Sequence, residues 1–138
     1  MSVKIESGLW TTVWRAKKVS TAFVQNSLCT LVSGFVEPAS TDAGAADKPV
    51  LGVYEGPAIS SALATTPQIP VMVPRGYALI RATASGLTST EEGNSWDMTD
   101  SVTVNAGTST YGAVTCVKYI STTEGIFAIS KSVFANVA

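Results

Sequence analysis

Ser27-Leu28-Cys29-Thr30-Leu31-Val32-Ser33-Gly34-Phe35-Val36-Glu37-Pro38 opens the stretch, residues 26–82, from which the fold class is read. The run is rich in β-branched and aromatic residues, which suit a pleated, half-buried surface. It stops where a proline would remove a ladder donor. From Pro38 to Pro49 the chain turns small and polar, ending in Asp47-Lys48-Pro49. Such residues bury little area to offset their ordering entropy, so this is a loop. Val50-Leu51-Gly52-Val53-Tyr54 is a short strand. Pro70-Val71-Met72-Val73-Pro74-Arg75-Gly76-Tyr77-Ala78-Leu79-Ile80-Arg81-Ala82 supplies more strand, interrupted at Pro74 and Gly76 by residues that suit an edge, bulge or turn.

Outward from this stretch, β runs are expected at 9–14, 22–24, 28–36, 50–54, 69–73, 78–83, 102–104, 113–120 and 126–130. Helix has little room. Ile59-Ser60-Ser61-Ala62-Leu63-Ala64 follows Pro57 but is halted by Thr65-Thr66-Pro67, leaving at most one short helix. The expected fold is all-β, with residues 1–25 as an extended N-terminal arm and 26–138 as one β-rich domain. At 138 residues, 46% hydrophobic and 14% charged, the chain fits one domain with a sizeable core. Its charged fraction lies well below the roughly 25% of an ordinary domain. Serine and threonine make up about a quarter of the chain, so the surface is neutral and hydroxyl-rich. That suits a subunit packed among copies of itself or on a lattice, and equally a sandwich whose threonines simply fit exposed strand positions.

The order of elements resembles the tailed-phage capsid decoration (cement) proteins of the lambda type. The matching residues are Leu31 to Phe35, Pro38-Ala39, Leu51-Gly52-Val53 and Val71 to Tyr77. They continue through Gly93-Asn94-Ser95-Trp96, Tyr111-Gly112-Ala113-Val114 and Glu124 to Ile129, so that the resemblance spans residues 26–130. It implies a small β-barrel of the β-tulip kind with no enzymatic activity and no cofactor. It also implies a partner in the major capsid protein, self-association with a homotrimer favoured, and a place on the outer capsid surface of a virion. The first 25 residues fall outside it. Other classes remain open: a carbohydrate- or receptor-binding β-module, or another virion piece such as a head-fibre base or tail component.

Searching for chemistry returns little. There is no histidine, which removes a Ser-His-Asp or Cys-His arrangement, and two cysteines 87 positions apart offer no zinc spacing. Glu91, Glu92, Asp97 and Asp100 form the densest acidic group but lack the order of a calcium loop. No apolar run reaches the roughly 18 residues of a membrane span, so no membrane partner is expected. The start, Met1 to Ser7, lacks the layout of a signal peptide. Synthesis in a host cytoplasm is the expectation, with Cys29 and Cys116 reduced and buried.

Charge is uneven. Residues 1–18 carry Lys4, Arg15, Lys17 and Lys18 against Glu6, a net of +3, whereas the remainder is −4. An acidic body and a pI near 5.3 argue against a nucleic-acid partner. Trp10 and Trp14 lie four residues apart, two full strand periods, so on an extended strand both indoles share one side. They can pack in a core, stack on a sugar or anchor an interface. The interface expectation assigns capsid or subunit contact to Trp10, Trp14, Arg15, Lys17 and Lys18, with the cations steering approach. Trp96 is expected as a hairpin plug over one end of the barrel.

Overall fold

A computed structural model of the chain describes residues 1–133. Its nine strands are β1 (Val3–Ala16), β2 (Ser27–Val32), β3 (Phe35–Pro38), β4 (Val50–Tyr54), β5 (Gln68–Ser85), β6 (Ser95–Met98), β7 (Thr103–Asn105), β8 (Val114–Ser121) and β9 (Glu124–Ile129). They join in one sheet, eight of them in the order β3-β2-β4-β5-β7-β6-β8-β9, with β1 pairing β5 off this path. Because β9 also pairs with β5, strands β5, β7, β6, β8 and β9 close into a five-stranded barrel. Among the described residues no helix is long and apolar enough to cross a membrane, and the one helical element is the 3-10 turn Ser89–Glu91.

The all-β barrel expectation holds, and the differences lie in its punctuation. Residues 28–36, read as one strand, are a hairpin: Ser33 and Gly34 both sit at positive φ, 51° and 85°, between the paired Val32 and Phe35. Such a two-residue turn follows the right-handed twist of its strands. The two expected strands 69–73 and 78–83 are one, β5, because the Pro74 and Gly76 interruption is absorbed as a bulge. Opposite it, Gly8 (φ +100°) lies so close to Tyr77 and Ala78 that a Cβ there would collide with their backbone. Residues 22–24 form no strand and contribute only a bridge, Phe23 to Ile59; residues 59–64 form no helix.

The stretch expected as an arm is extended, and most of it is bound into the sheet. β1 pairs antiparallel with β5 from Val3↔Ala82 to Ala16↔Gln68, with bulges around Glu6 and Leu9.

Two apolar clusters form the interior. One fills the barrel with Val3, Ile80, Ala82, Met98, Val104, Val114 and Phe127 among its buried members. The other lies on the opposite face of the β2-β4-β5 region and contains Phe23, Cys29, Val36, Leu51, Tyr54, Ile69, Val71 and Val73. Loops cover it. The Phe23–Ile59 bridge, with backbone bonds of 3.0 and 2.9 Å, holds residues 20–25 against 55–60, and Phe23 meets Tyr54 edge-on at 5.7 Å.

Candidate functional site

β1 carries the residues singled out in the sequence, and the sheet assigns them different tasks. From Trp10 to Ala16 its pairing with β5 is unbroken, setting Trp10 opposite Pro74, Thr12 opposite Met72 and Trp14 opposite Pro70. Opposed residues in an antiparallel pair share a face, so Trp10, Thr12, Trp14, Pro70, Met72 and Pro74 lie on one side. The Thr12 hydroxyl, 3.0 Å from the Met72 sulfur, joins the two rows. Val13 turns the other way, onto the loop-covered cluster with Val71 and Val73.

The tryptophans divide. Trp10 is partly buried against the barrel cluster and its Nε1 donates to the Ser7 carbonyl at 2.9 Å. Trp14 is 55% exposed. Along the same strand Leu9 is 65% exposed, and Tyr77, on the β5 bulge opposite it, is 68% exposed. These last two are further exposed apolar side chains that the sequence reading missed. Their signal was the Gly76 interruption, which turns neighbouring side chains out of the ladder.

The cations also divide. Arg15 is exposed, and its Nη1 donates to the Trp14 carbonyl at 2.9 Å. Lys17 is fully buried, its Nζ donating to the Lys18 carbonyl at 2.6 Å. Lys18 pairs with Glu37 at 3.3 Å. These two lysines therefore offer a partner little free charge. Their neighbourhood explains why: Lys18 N–H donates to Val36 O, so the chain leaving β1 crosses to bridge the outer edge of β3 and carries Lys17 inward. The charges left on β1 are Lys4, Glu6 and Arg15, net +1. Beside Lys4, Arg81 and Glu124 pair at 2.7 Å. Arg81 holds the Glu124 carboxyl below the usual carboxylate range.

The acidic residues read as a possible cation site are occupied within the fold. Asp97, only 3% exposed, accepts the backbone N–H of Tyr111 (2.8 Å), Gly112 (2.7 Å) and Thr110 (3.1 Å). Glu91 accepts from Thr88 N–H, Glu92 from Tyr119 N–H and Asp100 from Val102 N–H. Among the described residues no group of three His, Cys, Asp or Glu could hold a metal ion. Beside Asp97 lies an open cleft of about 330 Å³, lined by Thr41, Asp42, Asn105, Thr108 and the partly exposed Tyr111. Trp96, expected as a hairpin plug over one end of the barrel, stands in β6 and packs against the barrel cluster, and its buried Nε1 has no hydrogen-bond partner among the described residues.

Both thiols are free and buried, in different clusters. Burial pushes Cys29 up to about 12, against hydrogen bonds from Ser27 and the Tyr54 backbone. Cys116 is raised by burial and by Glu92 and Glu91.

Compared with family models, curated proteins and solved structures, the chain has no match.

Proposed function

We propose that this protein is a non-enzymatic structural subunit that decorates the outside of a viral capsid and stabilises it by bridging capsid subunits. The observation that carries the reading is that three large apolar side chains on β1 and β5, Leu9, Trp14 and Tyr77, are left exposed in a chain only 14% charged. A large exposed indole anchors an interface by burying area at little entropic cost. Contacts spread across a seam must be lost before the shell can expand, so binding raises shell stability by mass action. The partner is the major capsid protein. The order of elements resembling the cement proteins is the second support. Because Lys17 is buried and Lys18 paired, contact with the shell or with a neighbouring copy falls on Trp10, Trp14 and Arg15, and electrostatic steering is weak.

Co-sedimentation with empty shells assembled from the candidate partner, a major capsid protein, tests the reading. Saturable binding that raises the shell's melting temperature is expected; shells that melt unchanged at saturating protein overturn it.

The Tyr111 cleft favours a second reading, glycan binding, since it joins an aromatic ring to hydroxyl and amide groups. Ligand-induced change in tyrosine fluorescence that Tyr111→Ala removes would support it over decoration.

A further inference from the structure

β1 leaves one edge open. Among the described residues it pairs with β5 alone; its opposite edge is taken at Val3, whose N–H donates to Asn26 O at 2.8 Å, and past Ala16 by the Lys17–Val36 bridge, while Arg15 Nη1 donates to the Trp14 carbonyl, so the stretch from Trp10 to Trp14 is the part that presents open backbone groups. The other end of the sheet is covered, because the chain at Lys17 bridges β3. An open edge flanked by exposed Leu9 and Trp14 is a template for another strand.

The prolines of β5 determine which β1 groups point outward. In an antiparallel ladder, residues alternate between pairs that exchange hydrogen bonds and pairs that do not. Pro70 and Pro74 have no N–H to exchange, so their partners Trp14 and Trp10 occupy the second kind of pair. Thr11, Val13 and Arg15 therefore bond to β5. Trp10, Thr12, Trp14 and Ala16 aim their N–H and C=O away from it.

We propose that the open edge of β1 pairs antiparallel with β1 of a second copy of this chain, about a two-fold axis at Thr12. In that register Thr12 faces Thr12 of the other copy, and Trp10 of each copy faces Trp14 of the other. The exposed indole of one copy then covers the half-buried indole of its mate, on the face where Pro70, Met72 and Pro74 continue the apolar surface. Charge permits it: with Lys17 buried and Lys18 paired, each edge carries only Lys4, Glu6 and Arg15. A partner of strong opposite charge would find little to recognise there. One open edge also selects the symmetry. An isologous dimer uses a single surface twice, whereas a three-fold ring needs two different complementary surfaces. The inference rests on β1 as the interaction surface and requires no shell, so its failure leaves shell binding to be judged by co-sedimentation.

Sedimentation equilibrium of the purified protein tests it, with three variants. The wild type is expected as a dimer at tens of micromolar. Thr12→Pro removes an outward N–H, and should fold and run as a monomer. Trp14→Ala should raise the dimer dissociation constant by about tenfold or more. Thr12→Cys should give a reducible covalent dimer under oxidation, since same-residue pairing is specific to this axis. If Thr12→Pro disturbs the strand, the Trp14 and Thr12→Cys variants decide. A wild type that stays monomeric at millimolar concentration overturns the proposal, as does a dimer indifferent to Trp14→Ala and uncrosslinked by Thr12→Cys.

Discussion

The two halves of β5 are both largely apolar and have different fates. Residues 79–83 run between neighbours, with β9 on one edge and β1 then β7 on the other, and bury Ile80 and Ala82 inside the barrel. Residues 68–74 bury Ile69, Val71 and Val73 on one face only, and their outer neighbour β1 ends the sheet. Alternating valines thus report a buried face, while topology decides whether the sheet beyond that face is closed. The closed half supplies stability, and the open half supplies surface.

The sharpest way to break this comparison is to truncate one large side chain in each half. Phe127→Ala empties the centre of the barrel and should cost about 3–5 kcal/mol in urea unfolding. Trp14→Ala should change monomer stability by no more than about 0.5 kcal/mol, as surface changes do. Equal losses would mean that the open half is core. Asp97→Ala comes next. It strands three backbone donors at Thr110, Tyr111 and Gly112, a loss of about 1.5–3 kcal/mol, with proteolysis near 108–112 as the readout.

Lys17→Met sharpens the comparison on the open side. Removing a buried ammonium while keeping its apolar stem should leave stability within about 1 kcal/mol of wild type or raise it. The rate of association should not change, since the group is not at the surface; a slower on-rate would restore Lys17 to the interface. The smallest effect is that of pH. Asp42, bonded by Lys48 and Ser40, and Glu124, bonded by Arg81, have depressed carboxyl values in the folded state. Their contribution is complete above the unfolded values near ~4 and is lost as pH falls through the folded ones. Melting temperature should therefore stay level from neutral pH to about 5 and decline only in stronger acid. Both pairs are solvent-exposed, so the decline should be slight.

Strands β4, β8 and β9 were legible because apolar runs and turn residues coincide at 50–54, 113–120 and 126–130. The Ser33-Gly34 hairpin was not, since serine at positive φ leaves little trace in a β-rich run. β6 was hidden by its polar Ser95 and Asp97. Asp97 faces inward because the 110–112 loop donates to it, a contact no local pattern encodes. Trp10 and Trp14 were rightly placed on one side, yet the period could not tell which indole the barrel covers. Lys17 misleads from sequence alone: a lysine followed directly by another reads as solvent-facing, and only the chain crossing to β3 buries it.

Amide hydrogen exchange along residues 10–16 of the wild type tests most directly whether β1 is an integral strand with an open outer edge. At low concentration the amides of Thr11, Val13 and Arg15 should exchange slowly and those of Trp10, Thr12, Trp14 and Ala16 quickly, with the fast set becoming protected as concentration rises. Uniformly fast exchange would make residues 10–16 a loose arm. Uniform protection in the monomer would mean that the edge is already covered by its own chain, and either result would contradict the assignment of this edge as the interaction surface.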